Sequence, residues 1–164
     1  MKEEDSRTLE QVYRSAVSGL YARLKSNYDF LYQRFGDEGI ELIAEMSRQY
    51  GLSVAQRARK RLKNNDLISV ANYLVRIFDT VSRHSDYTPD IEQTETQVVI
   101  RAGLCPLHFD KPEMCLAHTT MEKTVVEELN PDLQYRIGKS IPAGDAYCEH
   151  IIEFKKQRDT KGYN

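Results

Sequence analysis

The sequence LQYRIGKSIPAGDAYCEHIIEFK, residues 133–155, has the pattern of two β-strands joined by a turn. Strands are predicted over residues 133–140 and 146–155. Between them lies Pro142-Ala143-Gly144-Asp145, in which the glycine can adopt the positive φ that many turns require. These residues therefore predict a β-hairpin at the C-terminal end of the chain.

Alternation along the second strand separates its side chains into two sides. Glu149 and Glu153 are charged and share the side that suits contact with water. The other side is therefore predicted to face the core, and it carries Cys148, His150, Ile152 and Phe154.

The sequence before the hairpin predicts one more strand and one more helix. Residues 94–102 are rich in Thr and Val, which favours a strand. Residues 113–129 return to helical spacing. Residues 86–90 are predicted to form a connector, and residues 157–164 a polar, frayed tail.

The N-terminal half has helical spacing throughout and predicts four helices. The run 36–39, Gly-Asp-Glu-Gly, separates the first from the second, which is predicted to end at Gly51. Ser53 is predicted to cap a third helix over residues 54–64, and a strongly apolar fourth helix follows over residues 67–81. The apolar stripe of the first helix consists of Leu9, Val12, Tyr13, Ala16, Leu20 and Leu24.

These elements predict an α+β fold, in which N-terminal helices pack on a C-terminal antiparallel sheet with one inserted helix. Residues 1–85 form the helical half, and residues 86–156 form the half with the strands, the inserted helix and the hairpin. A chain of 164 residues fits one domain, so residues 1–164 are predicted to fold as a single unit.

Composition and charge argue against several classes of function. The formal net charge is −2, whereas a dedicated nucleic-acid binder usually carries a broad basic field. No apolar run approaches the ~18–20 residues of a membrane span, and the acidic start of the chain is unlike a signal peptide. Three cysteines cannot form a closed disulfide framework. We therefore expect a cytoplasmic protein whose partner is a small molecule rather than nucleic acid or a membrane.

The cysteines and histidines are concentrated in the second half of the chain. Cys115 and His118 share one face of the predicted helix, and Glu122 continues that face one turn later. Cys105 follows a predicted strand, from which its side chain can reach a neighbouring helix. Each cysteine is followed closely by a histidine, in the pairs Cys105 and His108, Cys115 and His118, and Cys148 and His150.

Thiols that converge beside imidazoles fit two chemistries, and a third interpretation assigns them no role. Zinc takes thiolate and imidazole ligands in tetrahedral sites, and the candidate ligands are Cys105, Cys115, Cys148 and His118. Alternatively, a base beside one thiol generates a thiolate nucleophile. Cysteine is also a small apolar residue that is often buried without any chemical function.

The motif residues of the second half resemble those of a known family. They are Cys105-Pro106, then Cys115 opening a helix, Leu129-Asn130-Pro131, Lys139-Ser140, and Gly144-Asp145 followed by Cys148. This series resembles the L-2-amino-thiazoline-4-carboxylic acid hydrolase-like family. It is also similar to four-vinyl-reductase-type small-molecule-binding domains, which share a wider α+β fold with nitric-oxide-signalling and vesicle-tethering proteins.

The hydrolase resemblance implies that water opens a cyclic thiazoline amidine or a related C–N bond. Such a site needs an attacking group, for which the three cysteines are candidates, and a cation for the substrate carboxylate, for which Arg101 or Lys139 is a candidate. An Asp after Gly in a hairpin also commonly fixes the turn, which is the alternative role of Asp145. The candidate groups for proton transfer are His118, His150, Asp145 and Glu122.

The four-vinyl-reductase resemblance implies instead a sensor or carrier that binds a small molecule or a metal without catalysis. The cavity between the helices and the sheet discriminates between the two functions. An enzyme would line it with Cys, His and acids open to solvent, and a binding domain mainly with apolar side chains. The resemblance to tethering proteins further implies a homodimer that pairs through the N-terminal helices, with the stripe between Leu9 and Leu24 as its interface. Packing of that stripe onto its own domain is equally consistent with the pattern.

Overall fold

The computed structural model describes residues 7–82 and 88–156. Its N-terminal half has longer helices than the sequence predicts. The predicted tail at residues 157–164 lies outside the described residues. The helices are α1 (Leu9–Phe35), α2 (Asp37–Arg59), α3 (Leu67–Ser82) and α4 (Pro112–Leu129). The predicted second and third helices are therefore one continuous helix, α2.

Gly51 does not end a helix, contrary to the prediction, because α2 continues through it. A Cβ atom at Gly51 would lie 2.8 Å from the carbonyl oxygen of Met121 and 2.8 Å from Cβ of Thr124. The glycine therefore allows α2 to approach α4 closely. Ser53 is not a cap either, since its hydroxyl lies inside α2 and donates to the carbonyl of Tyr50.

The boundary between α1 and α2 lies within the run that the sequence predicts as an interruption. Gly36 separates the two helices and has φ +60°, a conformation that costs glycine little. At the other end of α1, Thr8 and Gln11 form a reciprocal capping box, in which each side chain accepts a hydrogen bond from the backbone of the other. Both ends of α1 are thus determined by local sequence.

A four-stranded antiparallel sheet completes the fold and confirms the predicted α+β class. Its strands are β1 (Asp90–Gln93), β2 (Gln97–Ala102), β3 (Leu133–Ile137) and β4 (Cys148–Phe154), in the order β1-β2-β4-β3. The hairpin of β3 and β4 is confirmed. The sequence missed β1, which was predicted as connector and loop, because all its side chains are exposed and give no core-facing alternation.

The turn before β4 contains one turn of 3₁₀ helix, Ile141–Ala143, followed by Gly144 with φ +97°. The carboxylate of Asp145 accepts a hydrogen bond from the backbone N–H of Ser140 at 2.8 Å. The predicted turn is therefore confirmed, and Asp145 fixes its geometry.

Two apolar clusters hold the helices and the sheet together. One cluster packs α3 and α4 on the sheet, with Leu74, Ile100 and Ile152 fully buried. The other joins α1, the first half of α2 and the start of α4 around Tyr28 and Ile43. In the described part of the chain, no helix combines the length and apolar character needed to cross a membrane.

Candidate functional site

A cavity of about 350 Å³ lies where the two apolar clusters meet. Its wall draws side chains from helices α1 to α4, from β2 and β4, and from the loop between β2 and α4. Six of the predicted site residues line this cavity: Cys105, Cys115, His118, Glu122, Cys148 and His150.

The elements that carry these residues place them as the spacing predicts. One face of α4 presents Cys115, His118 and Glu122 to the cavity, because residues three and four apart lie on the same face of a helix. On β4, Cys148 and His150 are two apart and lie on the same side of the sheet.

The neighbouring strand β2 extends the same wall. Ala102 is paired with Cys148, and Ile100 with His150, and all four side chains line the cavity. Cys105 lies just beyond β2, in a loop that also buries Leu107. The three cysteines thus reach one cavity from a loop, a helix and a strand.

Most of the cavity wall is apolar. Besides the residues already named, it includes Ile77 and Phe78 of α3, and Phe109 before α4. Among the described residues that line it, there is no Lys, Arg or Asp. The wall therefore offers no fixed cation to a negatively charged ligand.

The environment of Cys115 and Cys148 keeps these two thiols protonated. Burial raises the pKa of Cys115 to about 11, and its Sγ lies 3.9 Å from the hydroxyl oxygen of Ser140. Burial also raises the pKa of Cys148, although its sulfur accepts a hydrogen bond from the backbone N–H of Ile141 at 3.3 Å. Because the thiolate is the reactive form of cysteine, neither sulfur is an activated nucleophile near neutral pH.

The two histidines are partly buried and neutral at pH 7. Burial lowers the pKa of His118 to about 4, and burial together with the nearby His118 lowers the pKa of His150 to about 4. Each Nδ1 atom faces a tyrosine hydroxyl, that of Tyr28 at 3.2 Å from His118 and that of Tyr135 at 2.5 Å from His150.

Glu122 is the acid of the cavity. Its side chain is 4 % exposed, and its Oε2 atom is buried without a hydrogen-bond partner in the described part of the chain. Burial raises the pKa of Glu122 to about 7, so the carboxyl group is partly protonated under neutral conditions.

Three other residues that the sequence singled out lie elsewhere. Asp145 has the structural role in the turn described above, which was its alternative role. Arg101 forms ion pairs with Asp90, Glu92 and Glu149 and does not line the cavity. Lys139 donates to the hydroxyl of Tyr147. The expectation that Arg101 or Lys139 binds a substrate carboxylate is therefore wrong for this cavity.

The proposed zinc ligands share the cavity without forming a metal site. Within residues 7–82 and 88–156, no group of three or more His, Cys, Asp or Glu side chains is arranged to hold a metal ion. All three cysteines are free thiols. Cys105, Cys115, Cys148 and His118 therefore lack the convergent geometry that a tetrahedral zinc site requires.

Sequence reasoning missed the two tyrosines that contact the histidines. Tyr28 is one of many tyrosines with helical spacing, and nothing in the local sequence separates it from the others. The position of Tyr135 could have been predicted from the sequence. It is two residues from both Leu133 and Ile137 on β3, so all three share one side of the sheet, the side on which His150 of β4 lies.

Comparisons with known proteins add no relative. No family model matches the chain, and none of the curated proteins matches it. The resemblance to the hydrolase-like family and to four-vinyl-reductase-type domains therefore stays a prediction that rests on a few motif residues. The fold and the cavity define the chain as an α+β domain with a largely apolar internal cavity.

Proposed function

We propose that the chain binds a small, uncharged and mainly apolar molecule in the cavity, as a sensor or carrier does. The observation that carries this proposal is the cavity itself: about 350 Å³ enclosed mostly by apolar and aromatic side chains, with a few polar groups at defined positions. Cavities of this size and lining are typical of small-molecule sites in proteins. The geometry thus favours the binding function over the catalytic one.

The protonation states support an uncharged ligand. Near pH 7 the histidines are neutral, the thiols of Cys115 and Cys148 are protonated, and Glu122 is about half protonated. Moving an ionised ligand from water into such a site is unfavourable unless an opposite charge pairs with it. A neutral apolar ligand avoids that penalty and gains from the removal of its surface from water.

Filling the cavity is expected to abolish this binding. Ala102 lines the cavity beside Cys148, so an Ala102→Phe side chain would occupy part of the space. We expect naphthalene to bind the unmodified chain and to bind Ala102→Phe at least about tenfold more weakly, because the interior is too closely packed to yield that space. Naphthalene fluorescence measures this binding directly, since the chain contains no Trp.

The matched control for this experiment is Ala146→Phe, which adds the same side chain at an exposed position. Its affinity for naphthalene should equal that of the unmodified chain. Urea denaturation of both variants shows whether each is folded. Absence of naphthalene binding, or equal binding by the two folded variants, would contradict the proposal.

We propose hydrolysis of a cyclic amidine as a second candidate function, favoured by the position and pKa of Glu122. A carboxyl group with a pKa of about 7 can both accept and return a proton at neutral pH. In this proposal water adds across the C=N bond of the ring, and Glu122 takes one proton from the water and passes it to the ring nitrogen. The new hydroxyl group then gives its proton through Glu122 to the same nitrogen, as the C=O bond forms and the C–N bond breaks. Glu122 is preferred to a thiolate because burial keeps Cys115 and Cys148 protonated.

The expected result for this second candidate is slow ring opening of 2-amino-2-thiazoline, measured by chromatography of substrate and product. Glu122→Gln cannot carry the proton and should lower the rate by about 100-fold or more. Glu113→Gln, an exposed change in the first turn of the same helix, is the control and should leave the rate unchanged. Equal rates in the two variants, or no product at all, would exclude this function.

Two further expectations stay predictions. Pairing of two copies through the N-terminal helices is supported by the exposure of the α1 stripe, in which Leu9, Val12 and Leu20 are 86 %, 40 % and 67 % exposed. A cytoplasmic location is supported by the three free thiols, since reduced cysteines are typical of that compartment.

A further inference from the structure

The two histidine–tyrosine pairs determine which ring nitrogen carries the proton. In the pair of His150 and Tyr135, either the hydroxyl donates to Nδ1 or a protonated Nδ1 donates to the hydroxyl oxygen. In the second arrangement the buried Tyr135 hydroxyl would have no acceptor among the described residues. Burial also raises the pKa of Tyr135 well above its usual value, so the hydroxyl keeps its proton. The hydroxyl therefore donates, and the neutral ring carries its proton on Nε2.

On the helical side of the cavity His118 is paired with Tyr28, and we assign this pair the same proton arrangement. The Tyr28 hydroxyl lies 3.2 Å from Nδ1, and the ring of His118 packs against the rings of Tyr28 and Phe109. On the sheet side, the ring of His150 contacts Phe78 with a centroid distance of 4.7 Å. These contacts hold both rings in place, and neither Nε2 atom has a partner in the described part of the chain.

Glu122 supplies the complementary group. It lies one turn after His118 on the cavity face of α4, and its Oε2 atom is buried and unpaired. A buried carboxyl oxygen without a partner is unfavourable, so a ligand that donates a hydrogen bond to the Glu122 carboxyl group is stabilised by that contact. The cavity thus contains two N–H donors and one oxygen acceptor within an apolar wall.

We propose that the ligand is a neutral aromatic or cyclic carboxamide, whose C=O accepts from the Nε2–H groups of His118 and His150 and whose N–H donates to the carboxyl group of Glu122. This inference rests on the proposed binding function and specifies the ligand class for the same cavity. A carboxamide fits because it combines one acceptor and one donor without a charge. Tyr28 and Tyr135 are positioning residues, because they act on the ligand only through the histidines.

Three probes of nearly equal size separate this inference from the binding function itself. The first, 2-naphthamide, has a hydrogen-bond donor and an acceptor. The second, methyl 2-naphthyl ketone, has only an acceptor, and the third, 2-ethylnaphthalene, has neither. We expect 2-naphthamide to bind at least about tenfold more tightly than 2-ethylnaphthalene, with the ketone between them, since each net hydrogen bond contributes a few-fold or more. If all three bind equally, the cavity binds apolar molecules and the carboxamide inference is overturned. If none binds, the binding function also fails.

A cationic probe tests the main competitor. If Glu122 acts as a counter-ion, 2-naphthylmethylamine will bind more tightly than 2-naphthamide, which would overturn the inference. We expect the reverse order.

Tyr135→Phe tests the positioning role. It removes the hydroxyl that fixes the His150 ring, so we expect the preference for 2-naphthamide over 2-ethylnaphthalene to fall several-fold while the affinity for 2-ethylnaphthalene stays the same. Tyr147→Phe, which removes a hydroxyl near the surface that accepts from Lys139, is the control and should change neither affinity.

Nitrogen-15 NMR of histidine-labelled protein without ligand provides the second measurement. For His118 and His150, the Nε2 signals should have the shifts of protonated nitrogens and the Nδ1 signals those of unprotonated ones. Protonated Nδ1 atoms in the unmodified chain would overturn the inference whatever the probes show.

Discussion

Lowering the pH from 7 to 4 is expected to destabilise the folded chain by about 3 kcal/mol, mainly because two partly buried histidines must take up protons. His118 and His150 have a pKa of about 4 in the folded state, below the value of 6.5 that an exposed histidine has. The unfolded chain therefore binds protons more readily, and stability is lost as the pH falls from 6.5 through 4. Each histidine alone accounts for about 3 kcal/mol.

Glu122 has the opposite effect on the pH dependence of stability. Its pKa is raised to about 7 from the ordinary value of 4.5, so the folded state binds the proton more tightly than the unfolded state. Its stabilising contribution is complete below pH 4.5 and is lost as the pH rises through 7, again by about 3 kcal/mol. On acidification the destabilising contribution of the two histidines exceeds the stabilising contribution of Glu122. Stability therefore falls on acidification and has its maximum near pH 6.5–7.

Urea denaturation of the unmodified chain and of two variants, at pH values from 4 to 7, measures this dependence. His150→Gln should reduce the difference in unfolding free energy between pH 7 and pH 4 by about 3 kcal/mol, because one buried titrating ring is gone. His108→Gln is the matched control, since its side chain is exposed and lies outside the cavity wall. Parallel pH profiles for the two variants would show that His150 does not carry the effect.

The parts of the site that the sequence predicted are those that follow from periodicity. Cys115, His118 and Glu122 share a helix face, and Cys148 and His150 share a strand face, because the α and β repeats determine which side chains point together. Once both elements contribute to the same core, their faces meet at one cavity.

The parts that were missed depend on contacts between residues far apart in the chain. The partners of His118 and His150 come from α1 and β3, and no local pattern selects Tyr28 from the other tyrosines. Arg101 carries a charge suited to a substrate, but its place on β2 directs it to three acidic side chains. The zinc prediction counted suitable ligands, whereas a metal site also requires them to converge on one point.

Gly51→Ala is expected to destabilise the chain by about 2 kcal/mol, even though alanine favours a helix more than glycine does by about 1 kcal/mol. The added methyl group would lie 2.8 Å from the carbonyl oxygen of Met121 and 2.8 Å from Cβ of Thr124. Both contacts are too short, and one involves backbone that can move only if α2 and α4 separate. Since these helices join the two apolar clusters around the cavity, the shift would disturb both.

Gly19→Ala provides the matched control, because Gly19 also lies within a long helix, α1. A Cβ atom there would meet no heavy atom of the described residues within 4 Å, so the change should stabilise the chain by about 1 kcal/mol through helix propensity alone. Urea denaturation of both variants at pH 7 measures the two effects. If Gly51 is present for close helix packing, Gly51→Ala must lower the free energy of unfolding and Gly19→Ala must raise it. An increase in stability in both variants would mean that α2 and α4 are farther apart than the structure has them.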